Sequence, residues 1–161
     1  MIQIVEERDP RWTLRHLEHL KKNQLAYGIK ISENIYFEVF KNIEEGIPTE
    51  RCETSSKCFN IFYKTEYIGD IVLAKTFEDD RELDIFVFDE YSGKGYTKKA
   101  VKKFLECYDL QSDKKLQAIV RDSNNHKPKV VNILESNGFV KISRTDDGDL
   151  FERFNREIIN S

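Results

Sequence analysis

Two glycines and two hydroxyl side chains separate an apolar run from a lysine-rich segment in the stretch FVFDEYSGKGYTKKAVKKFL, residues 86–105. The pattern predicts a strand, a short loop at residues 92–97, and then a helix. A loop in this place gathers unpaired backbone N–H groups at the positive end of a helix dipole, and glycine lets an anion approach them closely. Residues 92–97 therefore have the chemistry of an anion site, although Gly93 and Gly95 also suit a plain tight turn.

The charges around this loop favour the anion site. Lys94, Lys98 and Lys99 surround the expected helix start, where acidic residues are usual because of the helix dipole. Each lysine taken singly fits a solvated helix face better than an anion contact. The pattern GxxxxGK[ST] of nucleotide-phosphate loops is absent, and the dinucleotide pattern GxGxxG fails because Lys98 occupies the third glycine position. A nucleotide-phosphate enzyme is therefore the least supported interpretation.

Hydrophobic periodicity predicts the elements that position the loop. Alternating apolar residues predict strands near residues 2–4, 59–63, 68–73, 83–87, 115–120, 139–142 and 150–154. Helical spacing predicts helices over residues 13–24, 32–46, 100–108 and 127–137, with Thr13 and Ser32 as N-caps. The order β-α-α-β-β-β-α-β-α-β-β predicts one α/β (α+β) domain over residues 1–161, with a mixed central sheet of about seven strands and about four helices.

Composition excludes several classes of protein. The 161 residues are 39% hydrophobic and 34% charged, which is typical of a globular domain, and a net charge of −3 gives no general case for nucleic-acid binding. Three cysteines without regular spacing predict free thiols and no metal site. The first residues do not form a signal peptide, and no apolar window approaches the ~18 residues of a membrane span. We expect a cytoplasmic protein with no membrane partner.

Two stretches resemble the GNAT superfamily of acyl-CoA-dependent N-acetyltransferases. RELDIFVFDEYSGKGY, residues 81–96, is similar to that family's fourth strand and its [QR]xxGx[GA] pyrophosphate loop, with Gly95 as the central glycine. ILESNGF, residues 133–139, is similar to the end of its fourth helix and the start of its sixth strand. Ser92 stands where Gln or Arg is usual, and Thr97 stands where Gly or Ala is usual. The predicted order of elements agrees with the family over essentially the whole chain.

The resemblance implies a binding site for acetyl-CoA as the acyl donor. Loop amides would hold the pyrophosphate, and the strand near Val87 would pair with the pantetheine arm and polarise the thioester carbonyl. Lys98, Lys99, Lys127 or Lys129 would meet the 3′-phosphate. The residues expected to bind acetyl-CoA are Val87, Phe88, Ser92, Gly93, Lys94, Gly95, Tyr96, Thr97, Lys98 and Asn125, with Asn124 as the neighbour of the last.

The resemblance also assigns the proton transfers. Glu82 lies where the family often has a fourth-strand glutamate and is expected to act as general base, with Asp84, two residues along the same strand face, as the alternative. A solvated charged turn explains both carboxylates equally well. The tyrosine that many members use as general acid falls at Leu134, and no tyrosine follows Tyr108 in the chain. Water or His126 would then supply the proton to the departing thiolate.

The acceptor is expected to be a primary amine on a small molecule or a protein. The acidic residues between positions 78 and 90 would attract a cationic amine, or they form only a solvated turn. The first two helices line the acceptor site in the family, so Trp12, Tyr27, Tyr36 and Phe37 are expected to face the acceptor or to lie in the core. A homodimer is expected because dimers are frequent in the family.

The sequence thus predicts an N-acetyltransferase in which the amine attacks the thioester directly in a ternary complex. No cysteine lies in a recognisable nucleophile setting, which disfavours a covalent acyl-enzyme. The alternative is a GNAT-fold module that binds acyl-CoA and has lost turnover. Ser92, Thr97 and the missing tyrosine favour that alternative.

Overall fold

A seven-stranded mixed sheet forms the centre of the protein. The computed structural model describes residues 1–27, 30–108 and 115–154. The strands are β1 (Ile2–Glu7), β2 (Lys57–Tyr63), β3 (Glu66–Lys75), β4 (Arg81–Val87), β5 (Lys115–Arg121), β6 (Val140–Arg144) and β7 (Gly148–Phe154). They lie in the order β1-β2-β3-β4-β5-β7-β6. All neighbours run antiparallel except β4 and β5, which are parallel.

Helices cover both faces of this sheet. They are α1 (Leu14–Lys22), α2 (Gln24–Tyr27), α3 (Glu33–Glu44), α4 (Tyr96–Cys107) and α5 (Lys127–Ser136), with a single 3₁₀ turn at Asp89–Tyr91 between β4 and α4. The predicted fold class and order of elements are confirmed. The first predicted helix was drawn too long, because it ends at Lys22 and the short α2 follows a break at Asn23.

The main core lies between the sheet and helices α4 and α5. Leu83 of β4 and Leu116 of β5 are buried against Ala100 and Phe104 of α4 and Leu134 of α5. Alternation along a strand sends successive side chains to opposite faces. Since Leu83 faces α4, Glu82 and Asp84 lie on the other face, which α1 and α2 cover.

Helix α1 buries a polar face, which the periodicity did not predict. Leu14 is exposed, and the buried residues are His16, Leu17 and His19. Helix α3 has no fully buried residue, and Ile35 is 53% exposed. Both helices begin at the predicted caps, because Thr13 and Ser32 each accept a hydrogen bond from a first-turn amide.

Candidate functional site: the gap between two parallel strands

Strands β4 and β5 diverge soon after they begin. Arg81 pairs with Leu116 and Glu82 pairs with Gln117, and the pairing ends there. β4 nevertheless continues to Val87 and β5 to Arg121. The two strands therefore leave a gap in the middle of the sheet, and the backbone along each edge of that gap has no strand partner.

The amide of Val87 points into this gap. The Phe88 N–H donates to the Ile68 carbonyl oxygen of β3 at 2.8 Å, and neighbouring residues of a strand direct their amides to opposite sides. Val87 therefore directs its N–H away from β3, towards the side where β5 has parted. The Phe88 carbonyl accepts from Tyr91 at 2.8 Å, so both backbone groups of Phe88 have partners within the protein.

The predicted anion loop lies just beyond the end of β4. Gly93 and Gly95 have φ values of 75° and 80°, a left-handed conformation that strongly favours glycine. A Cβ at either position would meet nothing within 4 Å, so glycine serves the backbone conformation here and the space above it is open. Gly95 is the N-cap of α4 and supplies no capping side chain. The first-turn amides of α4 therefore face open space with no side chain to satisfy them.

The side chains around the loop leave it accessible. Ser92, Lys94 and Lys98 are exposed, and Thr97 is half-buried. The Tyr96 ring packs against Tyr63 with centroids 4.6 Å apart, which anchors the start of α4 on the hairpin of β2 and β3. An anion at this helix start would meet backbone donors and nearby ammonium groups together.

Most residues predicted to reach the rest of the donor lie at the start of α5, and Lys98 and Lys99 lie in the first turn of α4. Asn125 is exposed in the loop after β5, and Asn124 accepts a hydrogen bond from the His126 amide at 2.8 Å. Lys127 lies 2.7 Å from Asp122 and 2.9 Å from Asp149, so its charge already has two carboxylate partners. Lys98, Lys99 and Lys129 are exposed. A 3′-phosphate would thus be matched better by these three than by Lys127.

Two carboxylates line the other end of the gap. Burial raises the pKa of Glu82, while Arg121 lowers it. Burial raises the pKa of Asp84 to about 6, and the Glu82 charge adds to this while Arg121 opposes it. The Asp84 side chain is nevertheless open to water. We call the gap between β4 and β5, with these two carboxylates on the face that α1 and α2 cover, the cleft.

Helices α1 and α2 form the roof of this cleft. Phe86, two residues after Asp84, stacks on His19 of α1 at 4.7 Å and meets the Tyr27 ring edge-on at 6.2 Å. The Tyr27 hydroxyl lies 2.7 Å from His19 Nε2. Arg121 Nε, at the end of β5, donates to the Tyr27 carbonyl at 2.8 Å. Tyr27 therefore spans the gap, with its ring on β4 and its carbonyl held by β5.

Other sequence predictions fall away from this cleft. Asp80 is buried in the turn between β3 and β4, where it accepts the Lys115 amide at 3.0 Å, so it holds the turn together. Asp89 and Glu90 form ion pairs with Lys22 and Arg15 on α1. The acidic segment is thus divided among separate structural roles, and only part of it faces the cleft.

The aromatic residues that were predicted to face the acceptor also lie in different places. Tyr27 faces the cleft, and Phe37 is 62% exposed on α3. Tyr36 is half-buried beneath the Lys21 ammonium, 3.9 Å from the ring centroid. Trp12 is half-buried, and its amide donates to the Thr49 carbonyl at 2.8 Å.

The structure leaves α5 without a phenol. Leu134 is buried in the core with 4% exposure, as its apolar character predicts. His126 is exposed at the start of α5. Sequence reasoning missed His19, because histidine is not counted in an apolar stripe. Its spacing of three from His16 was the only available signal.

Within the described ranges, no group of three histidine, cysteine or acidic side chains is placed to hold a metal ion. Over those same ranges, every helix is too short or too polar to cross a bilayer. The three cysteines, Cys52, Cys58 and Cys107, are free.

The fold and the cleft define the GNAT class of α/β fold that the sequence resembles. The family model of the acetyltransferase (GNAT) domain matches residues 13–140. The chain therefore belongs to the GNAT acetyltransferase family. A search of curated proteins finds no match.

Solved structures support the same fold. The N-acetyltransferase PseH of Campylobacter jejuni, solved in complex with acetyl coenzyme A, has a TM-score of 0.60 at 16% identity, over 96% of this chain and 99% of PseH. A mutant of the spermidine N-acetyltransferase SpeG of Vibrio cholerae has a TM-score of 0.62 at 16% identity, over 99% of this chain and 96% of SpeG. An acetyltransferase of Thermus thermophilus has a TM-score of 0.58 at 15% identity, over 95% of this chain and 96% of that one. At these identities the likeness shows the fold alone.

Proposed function

We propose that the protein transfers an acetyl group from acetyl-CoA to a primary amine by direct attack in a ternary complex. The observation that carries this proposal is the gap between β4 and β5, with an uncapped helix start at one end and two desolvated carboxylates at the other. The family membership supports the choice of donor.

The donor half of the site would be built from backbone groups. The amides of residues 93–97 would hold the pyrophosphate at the start of α4, where open space lies above Gly93 and Gly95. The pantetheine arm would pair with the free edge of β4. The Val87 N–H would donate to the thioester oxygen as negative charge develops there. Because this amide is already in place, reorienting it costs little free energy.

The acceptor half would use the two carboxylates. A lysine-like amine arrives protonated, because its pKa is about 10.4. Asp84 is charged at neutral pH, since its pKa is about 6, and with Glu82 it would attract the ammonium group and accept its proton. The nitrogen would then attack the carbonyl carbon, forming the C–N bond as the C–S bond breaks. A primary amine on a small molecule or a protein can react in this way. The homodimer expected from the family stays a prediction.

A thermal-shift comparison of acetyl-CoA, ATP and NAD tests the donor. We expect acetyl-CoA alone to raise the melting temperature, because a ligand that binds only the folded state stabilises it. Gly95→Glu should abolish the shift by placing a carboxylate at the helix start. Gly46→Glu is the matched control, since Gly46 also has a positive φ of 69° and open space around it but lies at the end of α3. A shift with ATP or NAD and none with acetyl-CoA would contradict the proposal.

Thiol release from acetyl-CoA in the presence of a panel of amines tests turnover. Spermidine, a peptide with a free N-terminus and a lysine side chain, and an aminoglycoside cover the main classes of acceptor. Glu82→Gln and Asp84→Asn should retain the acetyl-CoA thermal shift and slow release at least about tenfold, within the usual contribution of a general base. Glu78→Gln, in the turn before β4, is the control. Binding without release for any amine would favour the module that has lost turnover.

A further inference from the structure

The cleft contains a phenol on a different element from the one that the resemblance implies. Leu134 leaves α5 without a proton donor for the departing thiolate. Tyr27 lies across the same gap, between β4 and β5. A thioester paired with the edge of β4 would therefore meet the phenol from the α1 and α2 side of the sheet.

Hydrogen bonds around His19 direct the Tyr27 proton. The Asn23 amide nitrogen lies 3.4 Å from His19 Nδ1 and also donates to the His19 carbonyl at 2.8 Å. Of the two imidazole tautomers, the one that carries its proton on Nε2 lets Nδ1 accept from the Asn23 amide. His19 Nε2 then donates to the Tyr27 oxygen over 2.7 Å. This bond leaves the phenolic O–H free to point into the cleft.

We propose that Tyr27 is the catalytic residue that gives the departing thiolate its proton, with His19 as the residue that orients it. The inference rests on the proposed function. As the amine bonds to the carbonyl carbon, the C–S electron pair goes to sulfur, and sulfur takes the phenolic proton. Tyr27 then recovers a proton from solvent. The two protons that leave the ammonium pass through Asp84 and Glu82 to solvent, so one proton is released overall.

The charges around the phenol suit this order of events. Burial raises the pKa of Tyr27, and the charges of Asp89, Asp84 and Asp70 raise it further, so the phenol holds its proton until the reaction begins. The proton that Asp84 accepts from the amine removes one of those charges. Tyr27 therefore becomes a better acid when the thiolate forms.

The surroundings of His19 suit a residue that orients the phenol. Burial lowers the pKa of His19, while Asp89 raises it, so the imidazole is neutral at rest. A neutral imidazole has one N–H, and on Nε2 that N–H holds the Tyr27 oxygen in place.

The thiol of bound CoA gives a test that needs no amine acceptor. A thiolate absorbs in the ultraviolet where the thiol does not, so its pKa in the complex follows from the pH dependence of the difference in absorbance between the CoA and desulfo-CoA complexes. A donor aimed at sulfur stabilises the thiolate. We expect Tyr27→Phe to raise the pKa of the bound thiol by about one unit, which is the size of one hydrogen bond to a charged group.

Two further variants make the result decisive. His19→Phe keeps a ring on Phe86 and removes the Nε2 donor, so the pKa of the bound thiol should rise in the same direction. If Tyr27→Phe does not fold, His19→Phe decides the question. Tyr108→Phe, whose ring stacks on Phe104 after the end of α4, should leave the pKa of the thiol unchanged. Equal thiol pKa values in the wild type, Tyr27→Phe and His19→Phe, with CoA bound to all three, would overturn the inference while leaving the proposed function standing. Failure of the wild type to bind CoA would overturn both.

Discussion

Asp84 combines exposure to water with strong desolvation, and this combination links stability to function at a single residue. Its pKa rises from an ordinary 3.8 to about 6 on folding. Below pH 3.8 the carboxyl is protonated in both the folded and the unfolded state, and it contributes nothing. As the pH rises towards 6, the unfolded chain loses the proton first, so the free energy of unfolding falls with pH. Above pH 6 the carboxyl is charged in both states, and the free energy of unfolding is lowered by the full amount.

Asp84→Asn should therefore stabilise the protein at neutral pH. A shift of two pKa units corresponds to about 3 kcal/mol, and we expect about 1 kcal/mol because solvent screens an exposed carboxyl. Chemical denaturation at pH 7.5 and pH 4 measures the difference between variant and wild type. The gain should be present at pH 7.5 and nearly absent at pH 4. An equal gain at both values would show that the carboxylate charge is not its cause.

The same carboxyl should set the pH dependence of acetyl transfer. Only the charged form accepts a proton, so kcat/KM should rise with pH and level off above an apparent pKa near 6. Asp84→Asn should remove that rise. Steady-state thiol release between pH 5 and 8 measures it, and Glu78→Gln should retain the wild-type profile. A profile that persists in Asp84→Asn and disappears in Glu82→Gln would assign the base to Glu82.

Residue type predicted some of the site and missed the rest. Gly93 and Gly95 could be chosen from sequence, because glycines between a strand and a helix signal a special backbone conformation. The face shared by Glu82 and Asp84 followed from strand alternation. The pairing of His19 with Tyr27 could not be predicted, because their contact depends on how α2 folds back over α1 after Asn23.

At the scale of elements, helix α1 begins with a cap that does more than satisfy one amide. Thr13 Oγ1 accepts the His16 amide at 3.2 Å and lies 2.6 Å from His16 Nδ1. The equivalent cap of α3, Ser32, accepts only the Ile35 amide at 3.2 Å. The Thr13 cap therefore fixes both the helix and the imidazole that the helix buries.

Thr13→Ala should destabilise the protein more than Ser32→Ala does. Loss of an N-cap alone costs about 1 kcal/mol, which is the expectation for Ser32→Ala. Thr13→Ala also leaves His16 Nδ1 without its partner, and we expect about 2 kcal/mol in total because a buried polar group loses its hydrogen bond. Urea unfolding of both variants measures the difference. Equal losses would show that the bond to the imidazole adds nothing.

The divergence of β4 and β5 involves two strands that are far apart in sequence, and no local sequence pattern predicts it. Periodicity predicted both strands, because each alternates apolar and polar residues. The length over which two parallel strands remain paired depends on what packs against them. Here Tyr27 and Arg121 bridge the gap from above. The donor site therefore stays a prediction from the resemblance, whereas the gap that would hold it is visible only in the folded protein.

At the scale of the whole molecule, Asp70 of β3 joins three separate parts of the chain. The buried carboxylate lies 3.0 Å from His16 Nε2 of α1 and 3.1 Å from Arg51 Nη2, in the segment before β2. It also accepts the Tyr67 hydroxyl from its own strand. Asp70 is 1% exposed and the Arg51 side chain 9%. These bonds hold the polar face of α1 against the sheet, and α1 carries His19 over the cleft.

Removing the Asp70 charge should therefore loosen the fold and the cleft together. Asp70→Asn keeps the volume and leaves the Arg51 guanidinium buried without its carboxylate, and we expect a loss of at least about 3 kcal/mol. Such a loss is a large share of the roughly 5–15 kcal/mol that stabilises a domain. Urea unfolding measures it. The control is Asp122→Asn, which removes an exposed carboxylate from its pairs with Arg144 and Lys127 and should cost much less, because water replaces the lost partner. If the two variants lost similar stability, the Asp70 cluster would not be what joins α1 to the sheet.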